Sequence, residues 1–168
     1  MTVYDNSNFR GRSLLILQQN AGFRNDYFND RVDSLKISGS CDWILYKDDD
    51  FLGTSYLYEP GDYSTLAGVS NVISSARALP PSGTVAILLY QHSDFRGRQL
   101  ALSNSETSLV SRDFNDQISS FIITGGSWTL YRHTNFEGQS ATFGPGKYTI
   151  SDLGGAGGND QVSSVRRN

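Results

Sequence analysis

The chain has 168 residues and a formal net charge of −3, with 38% hydrophobic, 12% aromatic and 18% charged residues. That length admits one large domain or two small ones, and the composition supplies packed cores that a disordered chain lacks. A pI near 5.2, with the basic residues dispersed, excludes the clustered basic face of a nucleic-acid binder.

Cys41 is the single cysteine, so no internal disulfide forms and a reducing, cytoplasmic compartment is expected. Met1-Thr2-Val3-Tyr4-Asp5 has neither a basic region nor an apolar run, so no signal peptide is expected. The longest apolar segment, Val85 to Tyr90, is strand-sized, so no membrane span is expected either.

In chain order, one pattern appears four times. The first repeat opens with Tyr4, places Phe9 and Gly11 after a polar stretch, and reaches Asn29-Asp30-Arg31-Val32-Asp33-Ser34. The second runs through the strand Asp42-Trp43-Ile44-Leu45-Tyr46, then Phe51 and Gly53, to Ser70-Asn71-Val72-Ile73-Ser74-Ser75. The third has Tyr90, Phe95 and Gly97 before Asn115-Asp116-Gln117-Ile118-Ser119-Ser120. The fourth has Ser127-Trp128-Thr129-Leu130-Tyr131, Phe136 and Gly138 before Asn159-Asp160-Gln161-Val162-Ser163-Ser164. In every copy Tyr is first, Phe sixth and Gly eighth, with turn-forming residues between, which predicts a folded-over hairpin covered by two aromatics. The segments before repeats two and four put Trp and Leu on one face and Tyr on the other, as strands do. No long stretch keeps helical spacing, and glycines interrupt the chain often, so the predicted class is all-β.

Repeats two and four also carry Glu59-Pro60-Gly61-Asp62-Tyr63 and Gly144-Pro145-Gly146-Lys147-Tyr148, which one and three lack. The order is thus A-B-A-B, and a pair of repeats makes a domain. Leu79-Pro80-Pro81-Ser82-Gly83 predicts a stiff connection between pairs. The expected domains are residues 1–79 and 84–168, with a linker at 80–83.

The hexapeptides have two readings. Three gather amide, carboxylate and hydroxyl oxygens around one apolar residue, the copy at Ser70 offers amide and hydroxyl oxygens alone, and hard cations such as calcium take six to eight such oxygens. Each is also a turn, in which Asn and Asp bond their own backbone, followed by a strand with locally bonded serines. Four copies in register point toward calcium. Catalysis has weaker support: His92 and His133 occupy equivalent hairpins in different halves, as duplication gives, and read as exposed hairpin residues. No His-x-x-x-His or Cys-x-x-Cys spacing suggests a transition metal. Gly154-Gly155-Ala156-Gly157-Gly158 lacks the Lys-Ser/Thr of a phosphate loop and reads as a pliable approach to Asn159. The two Phe-Arg-Gly-Arg runs read as equivalent hairpin ends, and Cys41 as a half-buried small residue.

Taken together, the Tyr…Phe-x-Gly hairpins, the Asn/Asp-Asn/Asp-x-x-Ser/Thr-Ser hexapeptides and the Pro-Gly-x-Tyr segments resemble the βγ-crystallin superfamily. The A-B order and proline-containing linker are similar to its two-domain lens members, and the well-kept hexapeptides to its calcium-binding microbial and invertebrate members. The resemblance implies two domains, each a β-sandwich of two Greek-key motifs that exchange strands. It also implies Ca2+ sites formed by paired motifs. In the second domain one site would use Asp116, the Gln117 carbonyl, Ser163 and the Gln91 carbonyl. The other would use Asp160, the Gln161 carbonyl, Ser119 and the Arg132 carbonyl, with Asn115 and Asn159 bracing the loops. In the first domain, Asp30, the Arg31 carbonyl and Ser74 would make one site, with Arg31's charge unwelcome. The other would need Asn71 and the Val72 carbonyl, with Asp33 in place of a hydroxyl.

The expected function is therefore a non-enzymatic, structural or stress-related calcium-binding protein stabilised by the ion. It would hold two ions in the second domain and one or two in the first. One carboxylate per site predicts dissociation constants of roughly 10⁻⁶ to 10⁻⁴ M. The alternatives are a lens-type refractive protein with incidental calcium binding, or a module for protein or sugar partners. Neither nucleic acid nor membrane is an expected partner, and a monomer or weak homodimer is expected.

Overall fold

In the computed structural model of the chain, residues 1–168 are described except Ser82 and Val85. Ser82 of the expected linker and Val85 at the head of the apolar segment therefore lie outside the described residues. The chain divides into two compact units, the first Met1–Pro81 and the second continuing to Asn168.

The first unit contains strands β1 (Thr2–Asn6), β2 (Arg10–Leu15), β3 (Gln19–Asn20), β4 (Ser34–Ile37), β5 (Trp43–Asp48), β6 (Leu52–Tyr58), β7 (Gly61–Tyr63) and β8 (Ser75–Ala78). They form two antiparallel sheets, ordered β2-β1-β4-β7 and β3-β8-β5-β6. Each sheet borrows one strand from the other repeat: β7 pairs with β4 through Leu35↔Tyr63, and β3 pairs with β8 through Gln19↔Arg77. The exchange covers an edge of each sheet and ties two Greek keys into one folding unit.

The second unit contains β9 (Ile87–His92), β10 (Arg96–Leu102), β11 (Ser120–Ile123), β12 (Trp128–His133), β13 (Glu137–Phe143), β14 (Gly146–Tyr148) and β15 (Ser164–Arg167). Its sheets run β10-β9-β11-β14 and β13-β12-β15. Here β14 crosses to β11 through Phe121↔Tyr148, and the return crossing is a single bridge, Glu106↔Val165.

Alternation puts Trp43 and Leu45 of β5 into the first core, and Trp128 and Leu130 of β12 into the second. The apolar residue of each hexapeptide, Val32, Ile73, Ile118 and Val162, is fully buried. Burying such a side chain contributes about 1.5–3 kcal/mol, so each loop is pinned from below.

Every Tyr–Phe hairpin folds over as its spacing predicts. Tyr46 and Phe51 meet edge-on with centroids 5.6 Å apart, and Tyr90 and Phe95 at 5.7 Å. The turn places Phe9, Phe51, Phe95 and Phe136 at φ of 60°, 61°, 59° and 63°, a left-handed conformation that bulky residues adopt only when held there. The holding group is the last serine of the hexapeptide. Ser120 Oγ accepts from the Phe95 amide at 3.0 Å and donates to the His92 carbonyl at 2.7 Å. Ser34, Ser75 and Ser164 make the same pair of bonds in their own repeats. Sequence reasoning missed this role. The signal was the serine itself, kept at the sixth position in all four copies while the fifth varies.

The hairpin glycine is equally constrained: a Cβ on Gly97 would lie 2.6 Å from Cδ2 of His92, and one on Gly138 2.5 Å from Cδ2 of His133. Both imidazoles are thus exposed covers for a glycine. The Pro-Gly-x-Tyr segments close as tyrosine corners, with Tyr63 donating to the Glu59 carbonyl and Tyr148 to the Gly144 carbonyl, both at 3.0 Å. The glycine run departs from expectation. Ile150–Ala156 is a 3-10 helix with a capping box between Thr149 and Asp152, and Leu153 and Ala156 anchor it in the core. The small residues allow close packing, as at Gly155, where a Cβ would come within 2.8 Å of Ala141. Arg12 and Arg98 of the Phe-Arg-Gly-Arg runs pair with Asp5 and Asp113 and lie over Phe28 and Phe114.

Candidate metal centres

The second residue of every hexapeptide adopts the left-handed conformation: Asp30, Asn71, Asp116 and Asp160 have φ between 51° and 59°. Asn and Asp tolerate it because their short polar side chains bond locally, so the turn reading accounts for the local backbone. The backbone also joins the loops in pairs. Asp160 N–H donates to the Ile118 carbonyl at 3.1 Å and Asp116 N–H to the Val162 carbonyl at 3.2 Å. In the first unit, Asp30 N–H reaches the Ile73 carbonyl and Asn71 N–H the Val32 carbonyl.

This pairing brings the fifth residue of one loop against the second residue of its partner. Ser119 Oγ lies 3.0 Å from the Asp160 carboxylate and 3.0 Å from the Gln91 carbonyl. The one hydroxyl proton of Ser119 thus has two acceptors within reach, a carbonyl and a carboxylate. Ser163 Oγ donates to Asp116 at 3.3 Å, and Ser74 Oγ to Asp30 at 3.2 Å. All three hydroxyls sit on buried serines, whereas the carboxylates face solvent. Each site is thus rigid on its inner side and open to an ion on its outer side.

The Gln91 carbonyl belongs with Asp160 and Ser119, which corrects the expectation that grouped it with Asp116. The reason is register: Tyr90 of β9 pairs with Ser120 of β11, so Gln91 falls beside Ser119 of its own repeat. By the same register, Tyr131↔Ser164, Arg132 falls beside Ser163 and therefore with Asp116.

The first residue of each full loop braces the second: Asn115 and Asn159 donate to Asp116 and Asp160 at 2.7 Å, and Asn29 donates to Asp30 at 2.8 Å. The amide oxygens of all three asparagines, and that of Gln161, are buried without a partner. Such atoms destabilise by about 1–3 kcal/mol each. Gln117 is joined by its side chain to that of Gln91 at 3.4 Å.

The remaining loop differs. Asp33 is half-buried, with its N–H on the Tyr4 carbonyl as in the other repeats, but Ser70 Oγ is turned onto the Leu66 carbonyl. Asp33 and Asn71 are joined by no hydrogen bond among the described residues. Arg31 is exposed, and Val72 lines a surface cavity with Asp30, Asn71 and Ser74.

Among the described residues, no group of three or more His, Cys, Asp or Glu could hold a metal ion. The three intact centres each combine one carboxylate with a hydroxyl, and the Gln91 carbonyl joins them at Asp160. That donor set fits a hard cation, not a transition metal. Cys41 is half-buried and unbridged, and no described helix is long and apolar enough to cross a membrane.

The Beta/Gamma crystallin family model matches residues 1–79 and 86–168. Gamma-crystallin F of Bos taurus is 31% identical over 99% of this chain and 95% of that protein. Gamma-crystallin D of Homo sapiens is 30% identical with the same coverage. Geodin, a beta-gamma crystallin from Geodia cydonium, superposes with a TM-score of 0.73 at 22% identity, covering 99% of this chain and 97% of that one. Two double-Greek-key units, four clamped hairpins and two tyrosine corners agree with these matches, and the chain belongs to the beta/gamma crystallin family.

Proposed function

We propose that the chain is a non-enzymatic, structural calcium-binding member of this family, with stability raised by the ion. The supporting observation is the convergence of Ser119 Oγ, the Gln91 carbonyl and the Asp160 carboxylate around one proton. A hard cation would satisfy all three oxygens at once, and binding only the folded state would raise stability by mass action. Because each intact centre draws on both repeats of its unit, the ion would brace the two Greek keys against each other. The Asp116–Ser163 and Asp30–Ser74 centres are read in the same way. The Asn71 loop is read as a turn, since Ser70 is bonded to the Leu66 carbonyl and no hydrogen bond among the described residues joins Asn71 to Asp33.

A second reading has its own support. The serine–aspartate hydrogen bonds close the loops without any ion, and the matched gamma-crystallins align with this chain over nearly their whole length. On that reading the protein is purely structural, of lens type, and calcium is incidental.

The two separate in thermal unfolding of metal-free protein with and without calcium. A melting temperature that climbs through the micromolar to millimolar range, and is restored by chelator, supports calcium-linked stability. An unchanged melting temperature at saturating calcium contradicts it.

A further inference from the structure

One intact centre carries an ion-paired cation of the protein's own, on a largely exposed side chain. The cavity containing Asp30, Asn71, Val72 and Ser74, about 570 Å³ in volume, is also lined by Arg24 and Asp49. Arg24 Nε is 2.8 Å from Asp49 Oδ2, while Asp49 Oδ1 is buried without a partner. The guanidinium is therefore anchored at the rim of a place where a dication would sit.

The rest of the molecule supplies the comparison. Phe23 N–H donates to the Ser74 carbonyl at 2.7 Å, and Leu109 N–H to the Ser163 carbonyl at 2.8 Å. Arg24 and Val110, the next residues, thus hold equivalent positions beside the Asp30–Ser74 and Asp116–Ser163 centres. Asp49 and Thr134 are likewise equivalent, each three residues after the hairpin tyrosine. The Asp116–Ser163 centre accordingly has an uncharged valine and threonine where the Asp30–Ser74 centre has an ion pair. Lys47, Asp48 and Asp50 also line the cavity and form a charged background, net negative, common to every variant considered below.

We propose that Arg24, held by Asp49, is a resident counter-charge that sets the calcium affinity of the Asp30–Ser74 centre. This inference rests on the calcium reading above. With Arg24 in place, Asp49 is neutralised and the arriving ion meets a like charge. Without it, Asp49 becomes a second free carboxylate beside Asp30. Affinity in oxygen sites rises with carboxylate charge, and a unit charge acting across a partly solvated cavity changes it roughly tenfold.

The test uses the full chain carrying Asp116→Asn and Asp160→Asn, so that calcium heats report the first unit. Asn keeps the left-handed turn while removing the charge. Arg24→Gln and Asp49→Asn are added separately, with circular dichroism confirming the fold. Both break the same ion pair, but the inference gives them opposite effects. Arg24→Gln tightens calcium binding roughly tenfold, Asp49→Asn weakens it several-fold, and both shifts shrink in high salt. Shifts of the same sign mean that the pair acts only structurally and overturn the inference, as does an affinity unchanged by either substitution while calcium still binds. In both cases the calcium reading stands. Absence of calcium heat from the parent and from Arg24→Gln alike removes the calcium reading for this centre and the inference with it.

Discussion

Ser119 and Asp160, separated by 41 residues and lying in different Greek keys, meet at 3.0 Å. The same hydroxyl faces the Gln91 carbonyl, so one serine serves both the contact between repeats and the candidate centre. Replacing it tests the two roles together. Ser119→Ala should lower metal-free stability by about 1 kcal/mol, the usual contribution of one hydrogen bond. It should also weaken calcium binding at the Asp160 centre and leave the Asp116 centre unchanged. Ser119→Thr keeps the hydroxyl and should restore both properties, as read by urea melts and calorimetry.

The neighbouring serine has a different fate. Ser120→Ala strips the Phe95 amide and the His92 carbonyl of their shared partner while Phe95 remains in a left-handed conformation. A loss of about 2 kcal/mol is expected, larger than for Ser119→Ala, because two part-buried backbone groups lose this partner and the left-handed turn loses its clamp. Denaturant unfolding should place the loss in the second unit, with the transition of the first unmoved.

Two glycine substitutions separate backbone strain from steric conflict. Gly39 and Gly97 both have positive φ, 94° and 74°, but a Cβ on Gly39 meets nothing within 4 Å whereas one on Gly97 meets His92. Gly39→Ala should be destabilising by about 1 kcal/mol, from the left-handed backbone alone. Gly97→Ala should exceed it clearly, and His92→Ala in the same chain should recover part of the difference.

The Arg12–Asp5 pair predicts a pH window. The Arg12 guanidinium beside Asp5, 2.8 Å away, holds its carboxyl below the usual carboxylate value. A depressed carboxylate pKa contributes stability that is present above the unfolded pKa and lost as pH falls through the folded one. Arg12→Met, which keeps an apolar stem over Phe28, should therefore be less stable than the parent near pH 7 by about 0.5 kcal/mol, reflecting solvent exposure of the pair. The gap should close as pH falls through the lowered pKa of Asp5, below the usual carboxylate range, and salt should narrow it at pH 7.

Much of this fold could be read from spacing alone, because each signal occurs four times. The Tyr–Phe–Gly spacing anticipated the folded hairpins, and the Pro-Gly-x-Tyr segments the tyrosine corners. The candidate centres were legible as a set of residues, but not in their grouping. Which carbonyl accompanies which carboxylate depends on strand register, and nothing in the hexapeptide states that Gln91 lies beside Ser119. The glycine run was misread for a related reason. Gly154 to Gly158 suggests slackness locally, whereas the buried Leu153 and Ala156 and the Thr149–Asp152 cap fix the segment through contacts that composition does not reveal.

The most direct test of the calcium assignment is titration calorimetry of metal-free protein beside the Asp116→Asn/Asp160→Asn variant. Asn preserves the turn at both positions, so a difference between the two proteins reports lost carboxylates rather than lost structure. The parent should bind two or more ions with dissociation constants of roughly 10⁻⁶ to 10⁻⁴ M, and the variant should lose those of the second unit. No heat from the parent up to millimolar calcium, or identical isotherms for parent and variant, would contradict it and leave the hexapeptides as turns that close the Greek keys.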